Sequence, residues 1–437
     1  MTSSPNRLRE GNVMKGYKWL MLGMLSLAFF FNQADRVLFG LLTIPIQEEL
    51  HLTDIQIGFV NTALFVTLAL TVPLAGILGD RFNRKWVITG ALLFWSFMTA
   101  VTGLVGGLCG LVFFRSVLTG GGEAFYGPSA YALIAAHHRE SRSLALSIHQ
   151  AALYLGLMFS GALVAWVLRE LHAAAWVAQL FGEKGYWRPV FLVFGGLGFL
   201  LGVSFIWFLK DVRRPDDDVR VEKADGSFRA GCRAFFCCPT VVLNAIGFIA
   251  ICFANNAYIS WAPKFAARKF GLSVGAAGNG TMLYHHLCAF AAILVAGVVT
   301  DAMLRRGNPR FRLLLQFVAM FLGAPALAWF GFAPTVAACF AATMLYGVFR
   351  GLYEANTQAS AFDAVRPENR ATVVALADLF AMLLGSLSPL LVGAMSDRMG
   401  LSGFEWGFTL MGGMYVLGAC AMAGAFFFTF NKDRIVE

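Results

Sequence analysis

Apolar residues gather along the chain into long runs divided by short polar breaks. Twelve such runs lie near 17–42, 54–78, 86–107, 110–136, 144–168, 188–209, 239–262, 275–300, 311–331, 334–359, 371–395 and 407–430. Each approaches the roughly 20 residues a helix needs to cross a bilayer core. The runs are continuous and lack the period-two alternation of a membrane barrel strand, so they predict spanning helices. The most polar stretch, KDVRRPDDDVRVEKADGSFRAG at 210–231, follows the sixth run. The expected organisation is an all-α membrane protein with two six-helix bundles, 1–209 and 239–437, joined by a linker at 210–238.

An internal repeat supports two halves. EAFYGPSAYALIAAHHRESRSLAL begins at Glu123 and EANTQASAFDAVRPENRATVVAL at Glu354. GILGDRFNRK at 76–85 has a weaker partner, GVVTDAMLRR, at 297–306. Parallel six-helix repeats are a construction that places a substrate site at the repeat interface near the bilayer midplane.

Composition fits an oily solvent. The chain is 58% hydrophobic and 14% charged, with mean hydropathy +0.67, against about 45–50% and about 25% in soluble proteins. With both termini cytoplasmic, 24 of the 34 Lys and Arg fall on the inner side. The outer segments hold Arg169, Lys184, Arg188, Lys264, Arg268, Lys269 and Arg398. The net charge of +9 therefore reads as a topology signal of an inner (plasma) membrane protein, and no nucleic-acid partner is expected. No cleavable leader is expected either. Cys232, Cys237 and Cys238 cluster without a His or second Cys pair at ligand spacing, so no metal is expected.

In GILGDRFNRK, Gly76 and Gly79 are expected to let helices approach closely. Asp80 can accept from Arg84 or from a helix N-terminus, while Arg81, Arg84 and Lys85 hold the loop on the inner face. This loop, between the second and third of twelve runs, resembles the signature of the major facilitator superfamily, and the likeness spans nearly the whole chain. It implies a gate, to which Asp301 and Glu354 in the second half and His149 at the head of the fifth run are added.

Six charges lie inside runs: Asp35, Arg36, Arg115, Glu123, Arg350 and Glu354. Each costs roughly 2.5–3.5 kcal/mol at mid-helix, and such residues usually serve function. Asp35 and Arg36 point about 100° apart on a helix, so each should find a different partner across a polar cavity. Arg36 and Arg115 offer bidentate donors to an anion. Arg350 and Glu354, spaced i,i+4, can pair with each other. Gln150, Tyr154, Asn255 and Asn256 are further candidate substrate contacts.

An Asp-Arg pair in the first helix with an Arg and G-x-G-E-A in the fourth resembles the anion:cation symporter and Spinster-like branches. That resemblance implies Arg36 as the anion contact and Asp35 and Glu123 as proton carriers. In those branches the fourth-helix Arg precedes the Glu by seven residues. Here Arg115 precedes Glu123 by eight, which turns it about 100° away unless a bulge intervenes; the glycines of TGGGEA (119–124) are the expected place for one.

The expected activity is proton-coupled symport of a small organic anion, a sugar acid or similar carboxylate, by a monomer in the bilayer and without a cofactor. No G-x-x-x-x-G-K-[ST] loop points to ATP, and no enzyme chemistry is expected. A Spinster-like lysolipid or sphingolipid carrier is the alternative.

Overall fold

The computed structural model describes residues 5–138, 141–172, 175–210, 228–366 and 369–435. It is 89% helix, with no strand among the described residues. The long helices are α1 (Pro5–Leu41), α2 (Asp54–Arg81), α3 (Arg84–Thr102), α4 (108–137), α5 (Arg142–His172) and α6 (Arg188–Phe208). They continue as α7 (Pro239–Phe270), α8 (Val274–Arg305), α9 (Phe311–Phe332), α10 (Val336–Phe362), α11 (370–399) and α12 (Leu401–Asp433).

Among the described residues, ten helices are long and apolar enough to cross a membrane. An eleventh span is α1 together with the short helix Thr43–Leu50, which bends away from it by 52°. The twelfth expected run lies on α4, which carries Arg115 and Glu123 and is not among these spans. All twelve expected runs are thus helical. Most of the expected linker, 211–227, lies outside the described residues.

Helices α1 and α5, α3 and α6, and α2 and α4 pack together, as do α7 and α12, α8 and α10, and α9 and α12. Between these two sets, α1 meets α7, α2 meets α11, and α5 meets α8. Small residues allow the closest approaches, since in lipid it is backbone proximity that holds helices together. A Cβ on Gly161 of α5 would lie 2.8 Å from the Gly278 carbonyl carbon of α8. One on Gly58 of α2 would collide with the Pro389 carbonyl oxygen of α11. Gly76 is different: a Cβ there meets nothing within 4 Å, so close approach is not the reason for glycine at that position.

At the end of the bundle away from the chain termini, a polar lock ties α2, α7 and α11 together. Helix α7 runs past its expected end at 262 to Phe270, which carries Lys264 inside the bundle rather than into a loop. The Lys264 side chain is 0% exposed and pairs with Asp54 at the start of α2. It also donates to Gln47, and its ammonium lies over the Trp261 and Phe404 rings. Asp54 accepts further from Gln47 Nε2 at 2.7 Å and from Ser396 Oγ of α11 at 2.6 Å. Asp397 caps α2 from across the bundle, accepting the Asp54 and Ile55 amides at 2.8 Å each. Those first-turn amides have no partner within their own helix, and the helix end favours a carboxylate.

Removing one member of a buried pair costs about 3–5 kcal/mol because its partner stays buried and charged. Lys264→Met should therefore take about 3 kcal/mol from the sealed state, raising the open fraction on the order of a hundredfold. Spin labels at residues 51 and 272 should then show a new long-distance population. An unchanged distance distribution would mean that the lock does not hold this end shut.

Candidate functional site

Asp35 and Arg36 both meet α4, and they do so crosswise. Arg36 Nε donates to Glu123 Oε2 at 2.9 Å. Arg115 Nη1 donates to Asp35 Oδ2 at 2.9 Å and Nη2 to the Asp35 carbonyl oxygen at 2.7 Å. Thr99 Oγ1 of α3 adds a third bond to Asp35, at 3.0 Å. The acid of α1 thus takes the base of α4, and the base of α1 takes the acid of α4. Two charges 100° apart on one helix are satisfied by residues eight apart on another. The Arg36 side chain is 26% exposed, whereas that of Glu123 is 0%. One oxygen of each carboxylate, Glu123 Oε1 and Asp35 Oδ1, is buried without a hydrogen-bond partner.

The spacing of eight works because α4 is π-helical over Leu111–Thr119. An i→i+5 turn absorbs one extra residue, so eight residues cover the rotation of seven and both side chains face α1. The bulge lies earlier than the glycines that were its expected place; Gly120–Ala124 is α-helical. Those glycines serve packing instead. A Cβ on Gly122 would lie 2.8 Å from the Phe94 ring and 3.1 Å from Trp95 Cβ of α3. Arg115, expected as a substrate contact, is fully buried on Asp35 in this structure.

A second polar cluster occupies α8 and α10. Arg350 Nη1 contacts His285 Nε2 at 3.2 Å and His286 Nε2 at 3.5 Å. Its Nε lies 3.5 Å from Glu354 Oε2, one helical turn on. Tyr154 of α5 packs on Ala289 and Phe290 of α8, so it bridges the two sets of helices. Asn255 of α7 holds a buried, unpartnered Oδ1. Asn256 is buried one position on, and its carbonyl oxygen accepts from Ser260.

The other expected residues are more dispersed. Gln150 is exposed and accepts from the Tyr131 hydroxyl at 3.1 Å. His149 is buried against Phe29, its ring stacked at 4.5 Å and 9°, and neither ring nitrogen has a hydrogen-bond partner. Asp301 is exposed at the terminal end of α8, and Arg84 opens α3. The side chains of Asp80 and Arg81 lie outside the described residues. His285, His286 and the lock residues Asp54, Lys264 and Asp397 were not among the expected site residues.

Comparisons with known proteins agree with this architecture. The family model "Major Facilitator Superfamily" matches residues 25–389. "Protein spinster homolog 1" of Xenopus tropicalis is 24% identical over 420 residues, covering 89% of this chain and 76% of that protein. The "Probable galactarate/D-glucarate transporter" of Bacillus subtilis is 26% identical over 319 residues, covering 67% of this chain and 66% of that protein. The crystal structure of a bacterial homolog to the human lysosomal transporter Spinster, inward-facing and unoccupied, has a TM-score of 0.81 at 24% identity over 96% of this chain and 99% of that one.

The crossed pairs predict a non-additive double mutant. Arg115→Gln should destabilise the chain by about 3–5 kcal/mol by stranding Asp35. Adding Asp35→Asn should recover most of that loss, a coupling above 1 kcal/mol in size, read as unfolding midpoints in detergent. Additive losses would mean that the two side chains do not depend on each other.

Proposed function

The chain belongs to the major facilitator superfamily and is a multi-pass membrane transporter, not an enzyme; from that premise we propose that it carries an organic anion by alternating access, with a proton as co-substrate. What carries this reading is the contact between Arg36 and Glu123. Arg36 is the more exposed partner and the natural seat for a carboxylate or phosphate. That seat is already filled, because the Glu123 carboxylate occupies it at 2.9 Å. An incoming anion would bring a second negative charge to one guanidinium in a low-dielectric site. A proton on Glu123 removes the first charge, so anion and proton load together.

Asp35 is the second proton carrier, with Arg115 holding it in place. Arg350, Tyr154, Asn255 and Asn256 supply the contacts of the other half, and Gln150 lies at the rim. The 76–85 loop (Gly76, Asp80, Arg81, Arg84), with His149, Asp301 and Glu354, works the gate at the terminal end. The two halves, 1–209 and 239–437, rock about the site as a monomer with both termini cytoplasmic, so the sealed end is the outer one. The membrane is the inner (plasma) membrane.

The relative from Bacillus subtilis supports a sugar acid as the anion. A second reading, a lysolipid whose acidic head takes Arg36, is favoured by the Spinster-like resemblance, which covers three quarters of the length of that relative.

In proteoliposomes, an imposed proton gradient should drive accumulation of D-glucarate, or of lysophosphatidate if the lipid reading holds. Glu123→Gln should reduce accumulation to the level of protein-free vesicles while leaving substrate exchange measurable. Accumulation by Glu123→Gln at the wild-type rate would overturn the proton assignment.

A further inference from the structure

Helix α8 carries two adjacent histidines, His285 and His286, both fully buried, which the transport reading above leaves unused. Their rings are 4.7 Å apart and nearly perpendicular, at 89°. Each sets Nδ1 against a backbone carbonyl oxygen, His286 on Met282 at 2.8 Å and His285 on Thr343 at 3.4 Å. A carbonyl oxygen only accepts, so the hydrogen of each ring sits on Nδ1 and leaves Nε2 a bare acceptor. Both Nε2 atoms face the same nitrogen, Nη1 of Arg350, at 3.2 and 3.5 Å.

A guanidinium only donates. The seat therefore exists while both rings are neutral. A proton on either Nε2 would set N–H against N–H and cation against cation. Helices α8 and α10 touch at this point: a Cβ on Gly347 would collide with the His285 carbonyl oxygen, and one on Gly351 with that of Ala289. The side chain of Arg350 is what can move. The other titratable groups around the cluster include Tyr346 and Glu354 of α10, Tyr258 and Cys252 of α7, Tyr415 of α12 and Tyr154 of α5. Glu354 is the carboxylate among them, and it already holds the opposite edge of Arg350.

We propose that His285 and His286 form a proton-operated seat for Arg350: neutral rings hold the guanidinium against α8, and protonation releases it toward the substrate space between the halves. This rests on Arg350 being a substrate contact. It makes the second half respond to protons through its own groups, separately from Glu123. The histidines are positioning residues, acting through Arg350.

The test is nitrogen NMR on the full chain in nanodiscs, with histidine and arginine side chains labelled and no substrate present. The outcome is therefore independent of whether Glu123 carries the transported proton. His285→Gln and His286→Gln assign the rings. The double variant H285Q/H286Q keeps an acceptor for Arg350 but has nothing to protonate. At about pH 8 both rings should show hydrogen on Nδ1. Between about pH 8 and about pH 5, imidazolium should appear on a ring only as the Arg350 resonances move, because the guanidinium must leave before that ring can take a proton. In H285Q/H286Q, checked as folded by its unfolding midpoint, Arg350 should no longer respond to pH. Rings that stay neutral to about pH 5, hydrogen found on Nε2, or an Arg350 response that survives in H285Q/H286Q would each overturn the proposal.

Discussion

Arg36 lies 2.9 Å from Glu123 inside a helical bundle, and a single guanidinium there cannot serve two anions at once. The same holds for the other buried bases. Arg115 is committed to Asp35, and Arg350 to Glu354. Taking an ion from water into a low-dielectric interior is expensive, and only a close partner of opposite sign offsets it. Each of these three pairs is therefore electrically balanced before any ligand arrives. Bringing in an anion upsets that balance, and the smallest correction is one proton on a carboxylate. On the reading proposed above, coupling between anion and proton would need no long-range wire, because both would bear on the same pair of side chains.

On the same reading, the lock at the far end serves as the gate that opens when the ends exchange access. Asp54, Lys264, Ser396 and Asp397 tie α2, α7 and α11 together with charge and hydrogen bonds. Polar fasteners suit a gate better than an apolar seal, since water can solvate the separated groups when the gate opens. A ligand shifts such a two-state equilibrium only by binding the two states unequally. The crossed pairs between α1 and α4 and the packing of Tyr154 on α8 are where that inequality can arise, because they lie on helices that must move if the ends exchange access.

Much of this was legible in the sequence, because the bilayer is a demanding solvent. An Asp, Arg or Glu inside an apolar run is conspicuous, and Asp35, Arg36 and Glu123 stood out for that reason. Their pairing was not legible. Arg115 falls out of phase with Glu123 on a regular helix; that spacing called for a bulge, but no residue pattern placed it at Leu111–Thr119 rather than at the glycines. Lys264 was lost because charges near the end of a run look like topology signals; only the extra turns of α7 put it inside. Gly76 shows the opposite error, a motif glycine with open space where a neighbour was expected. His285 and His286 were visible as a pair, but their common target, Arg350, is 65 and 64 positions away.

The most direct test of the central claim is to count protons when the anion binds. Purified protein in weakly buffered detergent solution, near neutral pH, is mixed with whichever of D-glucarate or lysophosphatidate stabilises it against heat, and a pH indicator reports the exchange. If the anion takes Arg36 from Glu123, close to one proton per chain should be taken up on binding. Saturable binding of the anion with no proton uptake would contradict the claim.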